Sequence, residues 1–121
     1  MEFSIEKVLE LDVALNMVLD KDMPVKLSYW LGKLKETTTN INKRFNEENK
    51  KLLDKYAEAD EKNMSFSFAT TEDRQAYDNE INDLKVQKEE VKVPELKLAD
   101  FEGMEIKPAF FTLMSGLIKE D

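Results

Sequence analysis

The chain has no cysteine and no histidine among its 121 residues. Disulfide staples, thiolate nucleophiles, imidazole acid–base relays and Cys/His zinc sites are therefore excluded. Ser65, Ser67 and Ser115 have no imidazole to activate them. Glycine and proline number three each, too few for a Pro/Gly-rich linker or a collagen-like segment, and no glycine-rich phosphate loop is present. No apolar run approaches the ~20 residues that span a bilayer. The opening Met1-Glu2-Phe3 lacks the basic-then-apolar texture of a signal peptide, so a cytoplasmic location is the expectation.

What the chain does have is charge. Charged residues make up 36% of the sequence and hydrophobic residues 41%, with a formal net charge of −8. This length suits one compact domain with a real core. The acidic balance disfavours direct nucleic-acid binding. Lys33, Lys35, Lys43 and Arg44 are close in sequence but fit the wet side of a long helix.

That helix is the dominant signal. Leu27, Leu31, Leu34, Thr38, Ile41, Phe45, Glu48, Leu52 and Tyr56 follow spacings of four and three almost throughout, close to a heptad seam. The spacing predicts a helix over 24–58, with Pro24 in the first turn and Asp22 as cap. A rod of that length, roughly 50 Å at about 1.5 Å per residue, is the spine of a helical hairpin, a subunit interface, or both. A broad apolar surface over 5–19, capped by Ser4, predicts a first helix buried on more than one side. Asn16 marks its wetter edge.

Tyr29 and Trp30 are adjacent and point about 100° apart, so they cannot share one narrow seam. Either the first helix and the C-terminal segment cover both faces, or one ring stays exposed as an interface anchor. Trp30 is the better candidate for that role. Gly32 beside it suggests a close helix crossing. The stretch 37–40 (Thr-Thr-Thr-Asn) is the weakest helical part, and reads as a bend, a polar patch or a poorly propagating turn.

The segment 63–70 breaks the helical pattern. Ser65-Phe66-Ser67-Phe68 alternates polar and aromatic residues and predicts a short extended element or a loop folding back. Phe66 and Phe68 either tuck against the hairpin or form a contact point at its tip. Thr71 is the expected cap of a third helix over 72–90, with Tyr77, Ile81, Leu84, Lys88 and Val91 on its inner face. That helix packs antiparallel to the distal spine, the favoured topology for short connections. Around Pro94, residues 91–98 alternate in two short pieces, an edge strand at most, with Phe3 as a possible pairing partner. A turn surrounds Phe101. Pro108 starts a final helix carrying Phe110, Phe111, Met114, Leu117 and Ile118, with Gly116 allowing close packing.

Carboxylates are the only plentiful catalytic groups. Asp54, Glu58, Asp60 and Glu61 lie near one end of the hairpin and Glu72 and Asp73 enter the next helix; together they could bind a divalent cation through oxygen ligands, but they match neither a calcium loop nor a paired-carboxylate motif. A solvated, helix-capping surface is the preferred account. No catalytic, cofactor-binding or metal-binding residue is assigned, and the chain reads as non-enzymatic. Residues 47–90 hold 13 Asp/Glu against 7 Lys/Arg, so most of the negative charge lies in the distal half.

The layout resembles a group of small, mostly uncharacterised tailed-bacteriophage proteins. The resemblance is carried by Val8-Leu9-Glu10-Leu11, Ala14-Leu15-Asn16 and Leu19. It continues through 23–33 (Met-Pro-Val-Lys-Leu-Ser-Tyr-Trp-Leu-Gly-Lys), 51–56 (Lys-Leu-Leu-Asp-Lys-Tyr), Glu90-Val91 and Ile106-Lys107-Pro108. It implies phage origin and brings no substrate, chemistry or functional residues with it. The expected fold is mainly α, a long antiparallel helical hairpin with packed N- and C-terminal helices and room for a very small β element. All 121 residues form a single helical domain, in which 24–90 projects as the hairpin from a base of 1–34 and 91–121. The expected function is protein–protein interaction or assembly, with Tyr29, Trp30, Phe66 and Phe68 as interface residues. The alternative is an acidic inhibitor that occupies a host nucleic-acid-binding or defence protein. Partners are then a phage or host protein, or further copies of the chain. The expected location is the host cytoplasm, with virion association also open.

Overall fold

Helix α1 (Ile5–Asn16) supplies two apolar faces, and the helices around it cover both. The Ser4 Oγ accepts a hydrogen bond from the Lys7 N–H at 3.2 Å, which makes it the expected N-cap. Val8, Leu11, Ala14 and Leu15 are fully buried. One side of α1 packs on α2 (Val25–Tyr56), the other on α4 (Pro108–Leu113). The helix stops at Asn16, before the expected position 19. The N–H groups of Met17 and Val18 reach back only three residues, to Ala14 and Leu15, and this tightens the chain into a turn. Val18 still enters the core.

The computed structural model describes residues 1–60, 62 and 64–120. Among them the fold is mainly α-helical, with four helices and several short strands. Helix α2 is 32 residues long, about 48 Å at 1.5 Å per residue. Its N-cap is Pro24 and no side chain caps it, so Asp22 does not take the expected role. The inward row behaves as its spacing predicts: Leu27, Leu31, Leu34, Thr38 and Phe45 are buried and Ile41 is half-buried. The helix continues unbroken through 37–40, because Thr38 finds a buried partner in Asp12. Gly32 does not mark a close crossing, since a Cβ there would meet nothing within 4 Å.

Strands β2 (Glu58–Asp60) and β3 (Ser65–Ser67) pair antiparallel with Ala59 opposite Phe66, the short extended element expected there. Asn63, in that expected connection, and Glu61 lie outside the described residues. Helix α3 (Thr71–Lys85) is capped by Thr70, one place earlier than expected: its Oγ1 accepts from the Asp73 N–H. The helix also ends earlier than the expected 90. Lys88 leaves it for β4 (Lys88–Glu90), which pairs antiparallel with β1 (Glu2–Ser4). Phe3 therefore pairs with Glu89, not with the segment around Pro94. The ladder is extended by the Ile5 N–H donating to the Gln87 carbonyl; strand pairing here wins over helix propagation.

Beyond Val91, which is fully buried, β5 (Leu96–Lys97) leads into a 3-10 turn (Leu98–Phe101). Pro108 opens α4 at its first position, where the missing N–H costs nothing. The helix is short, and Gly116 does not serve close packing. With φ +89° it supplies the left-handed turn that sends the chain into β6 (Ile118–Lys119), parallel to β5. Phe101, Phe110 and Phe111 stack mutually at 5.2–6.0 Å and close the larger core over α1. A smaller core joins Ile5 of α1, Phe45 of α2 and Ile81 of α3.

Candidate functional site

The inward row of α2 fixes what its opening turns must show to solvent. With Leu27, Leu31 and Leu34 turned to α1, Tyr29 remains 59% exposed and Trp30 40% exposed. Both rings are exposed, Tyr29 more than Trp30, so the structure follows neither expected arrangement: the two are not both covered, and the exposure is not confined to one ring. The rings meet edge-on, with centroids 5.1 Å apart. Lys33 lies one turn on, its Nζ 5.6 Å from the Trp30 ring and 5.9 Å from Tyr29, within reach of a weak cation–π attraction to both. Trp30 also walls a cleft of about 580 Å³, where β5 and the 3-10 turn pass the start of α2. Pro24, Lys26 and Leu27 form its near side; Leu96, Lys97 and Asp100 contribute to the far side.

The second pair of predicted residues is divided. Phe68 lies just beyond the end of β3 and folds back on Tyr77 of α3, centroids 5.4 Å apart. It is half-buried. Phe66, within the strand, is 44% exposed, and Met64 beside it is 93% exposed in a left-handed conformation, φ +51°. A shallow hollow of about 360 Å³ is lined by Ala59, Asp60, Met64, Ser65 and Phe66. Met64 was not among the predicted interface residues; it is the more accessible of the two large side chains here.

A third feature escaped sequence reading. Asp12, in α1, is only 5% exposed. Its Oδ1 accepts from the Lys35 Nζ at 2.6 Å, from the Thr38 hydroxyl at 2.8 Å and from the Thr39 hydroxyl at 3.4 Å, while Oδ2 accepts from the Asn42 Nδ2 at 2.8 Å. Burial pushes the carboxyl up, but hydrogen bonds from Lys35, Asn42 and Thr38, with the Lys35 charge, outweigh it and hold the group below its ordinary 3.8. A carboxylate saturated with donors in this way is a poor proton acceptor. It ties α1 to the middle of α2. The sequence signal was a polar residue, Thr38, interrupting an apolar seam opposite an acid within an apolar helix.

Among the described residues, no group of three or more acidic side chains converges to hold a metal ion. No buried side-chain polar atom there lacks a partner, and no helix is long and apolar enough to cross a membrane. No protein-family model, curated protein or solved structure matches the chain.

Proposed function

We propose that the chain is a non-enzymatic bacteriophage protein that works through protein–protein contact, as an assembly accessory. The observation that carries this reading is Trp30, held accessible beside Tyr29 on a rigid helix and at the mouth of a cleft. Tryptophan and tyrosine dominate the energetics of many interfaces. In this reading α2 and α3 form a long antiparallel hairpin over 24–90, standing on a base of 1–34 and 91–121. Its support is the pairing of Asn49 with Tyr77 and of Phe45 with Ile81. The likeness to tailed-phage proteins along the sequence supports the origin.

The test is affinity capture from phage-infected bacteria with the native chain and Trp30→Ala side by side. Recovery of phage structural proteins by the native chain alone supports the reading. A second reading, inhibition of a basic host protein, draws on the exposed acids Glu72, Asp78, Glu80 and Asp83 along α3. It requires a nucleic-acid-binding host protein that Trp30→Ala retains and that neutralising those four acids releases. Recovery of neither class removes both readings.

A further inference from the structure

The row that α2 turns inward is not the most apolar row it offers. Leu27, Leu31, Leu34, Thr38 and Phe45 are buried, while Trp30 is 40% exposed and Ile41 is half-buried. A second row, Leu27, Trp30, Leu34, Ile41 and Phe45, runs at intervals of three, four, seven and four, and is just as helical in its spacing. The two rows share Leu27, Leu34 and Phe45. One adds Leu31 and Thr38; the other adds Trp30 and Ile41. At 3.6 residues per turn, a rotation of roughly 30° about the helix axis exchanges them. Apolar burial alone favours the second row, which trades a threonine for an isoleucine and covers most of an indole.

What opposes that rotation lies on α1. The Asp12 carboxylate is 5% exposed and accepts from Lys35, Thr38 and Asn42, three positions spread over two turns of α2. On the helical wheel these donors lie on the flank of the inward row opposite Trp30. Turning the second row inward draws all three away and leaves a buried charge without partners, which is strongly unfavourable. The demand comes from the carboxylate, since the Thr38 hydroxyl also donates to the Lys35 carbonyl of its own helix at 3.1 Å. The contact of Phe45 with Ile81 belongs to both rows and does not choose between them. The bond from Tyr77 to Asn49 acts in the same sense as Asp12, but two turns beyond Asn42 and in the smaller core.

We infer that Asp12 is a positioning residue, which holds α2 in the rotation that keeps Thr38 inside and Trp30 open to solvent. A buried polar group used in this way selects one arrangement among several apolar ones. The inference goes beyond the interaction reading above, because it concerns how the ring comes to be presented and stands whatever the ring touches.

Trp30 is the sole tryptophan of the chain, so its fluorescence reports the rotation directly. The experiment compares the full native chain with Asp12→Leu and Asp12→Asn, each checked for native helicity by circular dichroism. Asp12→Leu removes the need for donors. Its Trp30 emission is expected to move to shorter wavelength, and quenching by acrylamide to fall by about half, as the indole turns inward. Asp12→Asn keeps an oxygen that accepts from Lys35 and Thr38, and is expected to retain the native emission and quenching even where it melts earlier. A helical Asp12→Leu chain with native emission and quenching overturns the inference, for then apolar packing sets the rotation. So does a shift in Asp12→Asn as large as that in Asp12→Leu. If leucine does not fit and helicity is lost, Asp12→Ala takes its place, and a folded chain whose Trp30 is no better shielded than in the native protein overturns the inference equally.

Discussion

The two cores of the molecule are built by different means, although α2 runs through both. The larger draws on α1, the first half of α2, α4 and the segment from Val91 to Phe101, and its side chains reach complete burial at Val8, Leu31, Phe110 and Met114. The smaller has three buried residues, Ile5, Phe45 and Ile81, with Leu9, Leu52, Tyr77 and Leu84 half-covered around them. There a hydrogen bond from the Tyr77 hydroxyl to Asn49 and the Thr70 cap supplement a thin apolar seam. A region with little buried area opens more readily than one with much. The difference teaches that one helix can be firm at one end and yielding at the other with no break in its backbone.

The sharpest way to break this contrast is to hollow out each core in turn. Phe110→Ala is expected to cost about 3–5 kcal/mol, the range for deleting a buried phenylalanine, and to lower the cooperative thermal transition of the whole chain. Ile81→Ala is expected to cost about 2 kcal/mol. Hydrogen exchange should then accelerate in α3 and the second half of α2 while α1 stays protected. Equal acceleration everywhere would mean that the two cores open as one.

The titrating groups extend the contrast to pH. Asp12 has a folded value below its ordinary 3.8, so its contribution is complete above 3.8 and is lost as pH falls through the folded value. Asp12→Asn is expected to cost about 1–2 kcal/mol at neutral pH and to flatten the acid limb of the stability curve. Tyr77 behaves oppositely. Burial pushes its phenol up, the Asp78 charge adds to the rise and the Asn49 hydrogen bond opposes it. Its contribution is present below 10.0 and is lost as pH rises through the folded value. Tyr77→Phe is expected to cost about 0.5–1.5 kcal/mol and to remove that alkaline sensitivity. Denaturant melts of both variants from acid to alkaline pH decide whether each limb belongs to its assigned residue.

What was legible in the sequence was local. Leu27, Leu31, Leu34, Ile41 and Phe45 announce one face of a helix through spacing alone, Ser4 announces a start, and Pro108 another. What escaped was long-range. Lys88, Glu89 and Glu90 have little strand character of their own, and they form one because residues 2–4 arrive beside them. The role of Asp12 depends on donors from Lys35, Thr38, Thr39 and Asn42 on another helix, a meeting that no single window of sequence contains. For the candidate site, the residue types were legible but their exposure was not. Phe66 and Phe68 share a parity that would place both on one face of a longer strand, yet β3 ends at Ser67 and releases Phe68 toward Tyr77.

The position of α1 between α2 and α4 has a consequence for the order of events during synthesis. Val8, Leu11 and Leu15 are made long before Phe110 and Met114, which supply one of their two covers. Helix α2 can form early from its local pattern, and the pairing of Phe3 with Glu89 can follow once α3 is complete. The larger core closes last, since distant contacts repay the entropy of loop closure only when the final helix arrives. Until then one apolar face of α1 stays uncovered in the nascent chain, and that interval is when it is most open to mispairing.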